Sequence, residues 1–315
     1  MPPLRVVAGG GMGCKCAAAC AWATKLLCGA LLLLQVAAVA GVTANSLATP
    51  PVLKITPIYY VHVPKCGSSF GSVLLFTGCP KVPRWMWGDK RLRRPSEYFK
   101  YIKGHCAGAF ARFKNGHDGL PHAAVSKYSG RIVTMLRQPE DRFVSAFLHN
   151  LHDCEPLKRR WLDNGKVWTE STLRKVLSND SKASLLLCSY FKCVRGCATN
   201  MLAGKVCDAG RPSNGTTARA LDVVRAHAGF VGLQEQYNTS VALWERMFGL
   251  PAPLPDVVYH NTRPNGMGAY KARVYELVHK LGLRDEADEA LYNAALEWFD
   301  ARRAAYLPDV TAVPL

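Results

Sequence analysis

Lys65, Gly67, Ser68 and Ser69 stand together in the run Tyr59-Tyr60-Val61-His62-Val63-Pro64-Lys65-Cys66-Gly67-Ser68-Ser69-Phe70. An ammonium, a glycine that lets backbone approach a ligand and two hydroxyls are the parts of an anion cradle. A strand and a helix must position them. Ile55 to Val63 is apolar and β-branched, which predicts a buried strand, and Pro64 ends its ladder because it lacks an N–H. Phe70, Val73, Leu74 and Thr77 recur at helical spacing as far as Gly78 and Pro80, so Ser68 and Ser69 fall at a helix N-terminus. Free amides, the positive end of the helix dipole and one mobile ammonium then converge, and the expected ligand is a phosphate or a group like it.

A second unit runs Gly130-Arg131-Ile132-Val133-Thr134-Met135-Leu136-Arg137-Gln138-Pro139-Glu140-Asp141-Arg142-Phe143-Val144-Ser145. Ile132 to Leu136 predicts a buried strand and Pro139 the first position of a helix, with Phe143, Val144, Phe147, Leu148 and Leu151 on one face. Arg137 and Ser145 are left as polar groups near the strand end and along the helix. The first run is not a Walker A loop, because Lys65 precedes Gly67 rather than following the glycines.

The run His62-Val63-Pro64-Lys65-Cys66-Gly67 resembles the 5′-phosphosulfate loop of Golgi carbohydrate sulfotransferases, especially the heparan sulfate 2-O and 6-O enzymes. Leu136-Arg137-Gln138-Pro139-Glu140-Asp141-Arg142-Phe143-Val144-Ser145 resembles the 3′-phosphate motif of the same family. The two stand in the family's order, about seventy residues apart, which is more specific than either alone. The resemblance implies a donor with a phosphate at each end of its adenosine, 3′-phosphoadenosine 5′-phosphosulfate (PAPS), and no metal. It assigns donor binding to Lys65, Cys66, Gly67, Ser68, Ser69, Phe70, Arg137 and Ser145, with Lys65 also stabilising the departing phosphate oxygen. Gly104-His105 resembles the family's Gly-His after a basic segment, which makes His105 the expected general base; His62, His117 and His122 stand behind it. Cys66 replaces the family's loop threonine and is a poorer donor, and Gln138 replaces an aspartate and is expected to cap its helix less well. Asp153 beside His152 suggests an acid partner, but neighbours on a helix face apart, so both are expected at the surface.

Composition bounds the setting. Lys and Arg number 40 against 23 Asp and Glu, a net charge of +17, and the first fifty residues carry only Arg5, Lys15 and Lys25 of it. The basic excess therefore lies in the main domain and implies a polyanionic partner. Leu26 to Ala44 is apolar but for Gln35 and has a basic flank on its N-terminal side, which predicts a retained signal-anchor; a cleaved signal peptide ending at Val42-Thr43-Ala44 is the rival. The expected organisation is a cytosolic tail (1–25), a transmembrane segment (26–44), a short stem (45–53), a lumenal domain (54–307) and a tail (308–315). That topology fits a single-pass type II protein of the Golgi membrane, and it disfavours nucleic acid as the polyanion. Cys188, Cys193, Cys197 and Cys207 crowd together and predict local disulfides in an oxidising compartment, with the connectivity left open and Cys66 expected to stay unpaired. Asn179, Asn214 and Asn238 begin glycosylation sequons.

Alternating strands and helices predict an α/β domain, three-layered and P-loop-like, with a mainly parallel central sheet after the N-terminal membrane anchor. Ser171 to Leu187 predicts one helix, Gly229 to Glu235 a strand, Gln236 to Phe248 a helix, and Tyr270 to Leu281 and Asp285 to Tyr306 the last two. Arg84, Lys90, Arg91, Arg93 and Arg94, with Trp85 and Trp87 among them, are the expected acceptor contacts, since indoles stack on sugar faces while basic groups meet sulfate or carboxylate. The function so implied is sulfuryl transfer from PAPS to a polysaccharide hydroxyl. A tyrosyl-protein or small-molecule acceptor is the alternative, followed by a lumenal kinase and a non-catalytic glycan-binding protein. The sequence leaves the oligomeric state and the sulfated position open.

Overall fold

The computed structural model describes residues 50–79, 104–106, 108–112, 117–165, 167–250 and 268–308. The expected anchor (26–44) and the basic tract carrying Arg84, Lys90, Arg91, Arg93 and Arg94 lie outside them. Among the described residues no helix is long and apolar enough to cross a membrane.

Four strands form one sheet in the order β2-β1-β3-β4. They are β1 (Ile58–Val61), β2 (Phe110–Arg112), β3 (Ile132–Leu136) and β4 (Ala228–Leu233). Every pairing in this sheet is parallel. Every residue of β1 and β3 is buried, as befits parallel strands covered on both faces. From β1 the chain moves to β2 on one side, then crosses to β3 on the other. That reversal puts a topological switch point between β1 and β3, where ligands of open α/β sheets bind at the strands' carboxyl ends.

Each strand end feeds a helix. β1 runs through the Lys65 turn into α1 (Phe70–Gly78), and α2 (His122–Lys127) precedes β3. β3 runs directly into α3 (Pro139–Leu148). Then come α4 (Glu155–Trp161), α5 (Glu170–Leu177), α6 (Asp180–Val194), α7 (Cys197–Leu202) and α8 (Asn214–Asp222). After β4 follow α9 (Tyr237–Phe248), α10 (Lys271–Lys280) and α11 (Glu286–Tyr306). The helix expected over Ser171–Leu187 is two: Asn179 breaks it and starts α6 by accepting a hydrogen bond from Lys182 N at 2.9 Å. Asn179, Asn214 and Asn238 are all exposed.

Two aromatic clusters lock helices to this frame. Phe70 of α1 stacks on Phe230 of β4 at 5.4 Å between ring centroids, and Trp244, Phe248 and Trp298 close around them. The Trp244 indole N–H donates to Thr77, so the one polar end of that buried ring is satisfied. Phe143 and Phe147 of α3 meet Tyr190 of α6, and Trp168 packs on Phe147. Both helices that start at the switch point are thus anchored by their apolar faces.

Disulfides join Cys79 to Cys106, Cys154 to Cys193 and Cys197 to Cys207. Only the last lies wholly within the cysteine-rich stretch. Cys193, expected to pair locally, instead reaches Cys154 because α6 runs back along the turn that follows α3.

Candidate active site

The Lys65 turn has the geometry of an anion nest. Lys65 takes φ +65° and Gly67 φ +86°, and the chain re-enters helix when Phe70 N donates to Gly67 O at 3.0 Å. The amides of Cys66, Gly67 and Ser68 donate no hydrogen bond among the described residues. Ser69 precedes α1 without capping it through its side chain. Three successive unclaimed N–H groups at the start of a nine-residue helix are an electropositive pocket awaiting acceptors.

Gly67 has a second reason to be glycine. A methyl group there would sit 2.3 Å from Gln234 Oε1, which is buried without a hydrogen-bond partner among the described residues. Gln234 stands just past β4, tied to Leu136 O by its amide at 2.9 Å. That oxygen is an acceptor, so a hydroxyl or amide donor would complete it whereas an anion on the nest would not.

Arg137 joins the second motif to the first. Its Nη1 donates to the Lys65 carbonyl at 3.4 Å, while Nε, 3.8 Å from Glu235 Oε1, is buried and makes no hydrogen bond among the described residues. Asp141 lies 3.7 Å away and is itself bound by the Tyr275 hydroxyl. Glu235 is the hub of this edge, accepting from Gln138 N at 3.0 Å and from the Tyr292 hydroxyl at 2.9 Å. Arg137 is therefore held in position but keeps donors for a further anion. Gln138, expected to cap poorly, caps α3 well: its longer side chain lets Oε1 accept from Asp141 N at 2.7 Å. Ser145 sits half-buried on α3 with its hydroxyl uncommitted among the described residues.

Cys66 is 1 % exposed and stands in no disulfide. Burial pushes its thiol up to about 12, so it stays a neutral filler beneath the turn rather than a nucleophile. Phe70, expected among the donor-binding residues, is fully buried and packs on Phe230 and Trp244.

His105 is not brought to this turn. It is exposed and adjoins Cys106, which is bridged to Cys79 immediately after α1. The turn lies at the other end of that helix, and nine residues at about 1.5 Å each span roughly 13 Å. The sheet agrees: Ile58 N, at the start of β1, bonds Ala109 O, so the chain upstream of β2 approaches the edge opposite Lys65.

What the sequence led one to expect least is the group on the same edge as Lys65. His62 follows β1, His117 follows β2, and His152 and Asp153 follow α3. His117 Nδ1 and Asp153 Oδ1 are 2.7 Å apart, and His152 Nδ1 is 3.4 Å from the same oxygen. His152 and Asp153 were expected at a helix surface. They instead occupy a left-handed turn, with Asn150 at φ +60°, Leu151 at +49° and Asp153 at +61°, which folds both inward. The ligand atoms of His117, His152 and Asp153 converge within 4.8 Å. Ligands of one tetrahedral zinc, bound at about 2.0–2.1 Å, cannot approach as closely as His117 and Asp153 do, and the pair is a hydrogen bond. No strand was expected ahead of His117, so nothing in the sequence signalled that it would reach the edge shared by Lys65, Arg137 and Gln234.

Searches among curated proteins and among solved structures find no match. Residues 54–190 match the model of the Sulfotransferase family, a span that contains β1, the Lys65 turn, β3 and α3. That match, on the segment that builds both halves of the anion site, supports a sulfotransferase family for this chain.

Proposed function

We propose that the protein transfers a sulfuryl group from PAPS to a hydroxyl of a polysaccharide. The observation that carries this reading is the meeting of the two motifs at the switch point, where Arg137 bonds the carbonyl of Lys65. One anion site at each of two adjacent strand ends suits a ligand with a charged group at each end, and an ordinary nucleoside triphosphate has no 3′-phosphate to offer Arg137. The 5′-phosphosulfate would rest on the amides of Cys66, Gly67 and Ser68 with the Lys65 ammonium beside it, and the 3′-phosphate on Arg137 and Ser145. During transfer the acceptor oxygen bonds to sulfur as the bond from sulfur to the bridging oxygen breaks. Lys65 and the nest stabilise the charge that the departing phosphate oxygen acquires. These fixed positive groups supply the field at the leaving group, and no step of this account calls on a metal.

A polysaccharide acceptor is favoured by the charge of +17 and by the tract from Arg84 to Arg94 with its two tryptophans. The same reading places the protein in the Golgi membrane as a single-pass type II chain with its domain in the lumen. The test is calorimetric titration of the purified full chain with adenosine 3′,5′-bisphosphate and with ATP, followed by transfer of labelled sulfate to a panel of desulfated polysaccharides and tyrosine peptides. Binding of the bisphosphate and labelling of a polysaccharide are expected. No affinity for the bisphosphate ends the reading, and labelling of the peptides alone moves the acceptor to protein tyrosine.

A further inference from the structure

The mechanism above leaves a proton unassigned and the structure leaves a dyad unused. The His117 ring lies 5.3 Å from His62 and 4.8 Å from His152 between centroids, and His62 is three residues from Lys65. Lys65 is near enough to repel a charge on His152. The cluster therefore borders the cradle at the carboxyl ends of β1 and β2.

Its parts are unequally placed. Asp153 is 18 % exposed and its Oδ2 is buried with no hydrogen-bond partner among the described residues. The turn that carries it is rigid: the buried Tyr190 hydroxyl donates to His152 O at 2.8 Å, His152 N donates to Ala146 O at 3.0 Å, and Cys154 is bridged to Cys193. Leu151 at φ +49° is the costly member of this turn, Asn150 and Asp153 being types that take the left-handed region readily, and such conformations gather at functional sites. His117 is 22 % exposed, with Nδ1 on Asp153 and Nε2 left to exchange a proton. His152 is the poorer base, because burial pushes its imidazole down to about 4.

We propose that His117, oriented by Asp153, is the catalytic base that accepts the proton of the acceptor hydroxyl, in the role expected from sequence for His105; this rests on the sulfuryl-transfer reading. The acceptor O–H proton passes to His117 Nε2 as the acceptor oxygen bonds to sulfur. The electron pair of the breaking sulfur–oxygen bond stays on the phosphate oxygen of adenosine 3′,5′-bisphosphate. Asp153 accepts the Nδ1–H, fixes the tautomer that exposes Nε2 as acceptor and stabilises the imidazolium that forms. Asp153 is a positioning residue, since it acts through His117.

The experiment uses the full chain, labelled PAPS and a pool of desulfated heparin and chondroitin, with label released to water as the comparison if the pool takes none. His117→Ala should lower kcat by about two to four orders of magnitude, the usual contribution of a general base, while adenosine 3′,5′-bisphosphate binds as in the parent. Asp153→Asn should lower kcat by less and leave KM for PAPS unchanged. The inference is overturned if His117→Ala keeps kcat, if His105→Ala costs more than His117→Ala, or if chelation abolishes transfer and zinc restores it. A parent chain that binds no bisphosphate and releases no label instead removes the sulfuryl-transfer reading itself.

Discussion

The Arg137 guanidinium reaches across the switch point and hydrogen-bonds the carbonyl of Lys65 at 3.4 Å. It therefore holds the turn directly and, on the reading proposed above, would also meet the 3′-phosphate of the donor. Arg137→Ala should weaken adenosine 3′,5′-bisphosphate by about 10- to 150-fold, the worth of one hydrogen bond to a charged group. Adenosine 5′-phosphate should lose less, because it meets Arg137 only through the Lys65 turn. Calorimetry with both nucleotides checks this, and equal losses would remove the 3′-phosphate from Arg137.

Gly67 is constrained by its own φ of +86° and by Gln234 Oε1. An L-residue in left-handed conformation costs about 1–2 kcal/mol, and the added methyl must also push the glutamine amide away. Gly67→Ala should lower both the urea midpoint and bisphosphate affinity. Adding Gln234→Ala relieves the contact but not the dihedral, so it should recover affinity in part. Full recovery would show that the backbone of the turn tolerates alanine, and that the contact alone mattered.

Strands and helices of the site were legible because each is short, local and punctuated: Pro64 and Gly78 bracket the first turn, and Pro139 opens α3 at the residue expected. Lys65, Gly67 and Arg137 could be placed just beyond their strands because strand ends are local signals as well. What escaped was non-local. His117 meets Asp153 only because β2 pairs beside β1 and because the chain after α3 turns left-handed, and neither fact is written in the neighbouring residues. The expectation for His105 failed for the same reason, since the Gly-His resemblance said nothing about which edge of the sheet that histidine would reach. Gln138 was undervalued for a local reason, as cap statistics favour short side chains whereas here one extra methylene reaches Asp141 N.

Arg142, in the middle of the second motif, is a structural residue. It is 2 % exposed and lies 3.2 Å from Asp288 and 3.8 Å from Asp285, and it donates to Val194 O. Burial works against its charge, but the two carboxylates hold it protonated. Asp288 in turn accepts from the amides of Ala198 and Thr199, so one ion cluster ties α3, α7 and α11 together. Arg142→Met leaves the buried Asp288 carboxylate without its cation and should cost about 3–5 kcal/mol in urea unfolding. A loss within about 0.5 kcal/mol, as for a surface change, would show that solvent reaches the cluster.

Two half-buried groups should give the stability of this fold opposing pH slopes. Burial, then the neighbouring Asp288, raises the Asp285 carboxyl from 3.8 to about 7, so the folded chain holds a proton that the unfolded chain has released. Stability from this group is complete below 3.8 and is lost as pH rises to about 7. Burial lowers His152 from 6.5 to about 4, so there the unfolded chain takes the proton first. Stability from His152 is complete above 6.5 and is lost as pH falls toward 4. Across the shared window the two contributions offset in the parent. Asp285→Asn should unmask a urea midpoint that climbs with pH between 4 and 6.5, and His152→Gln one that declines. If both variants keep the parent's profile, the two side chains titrate alike folded and unfolded, and the left-handed turn after α3 does not bury His152.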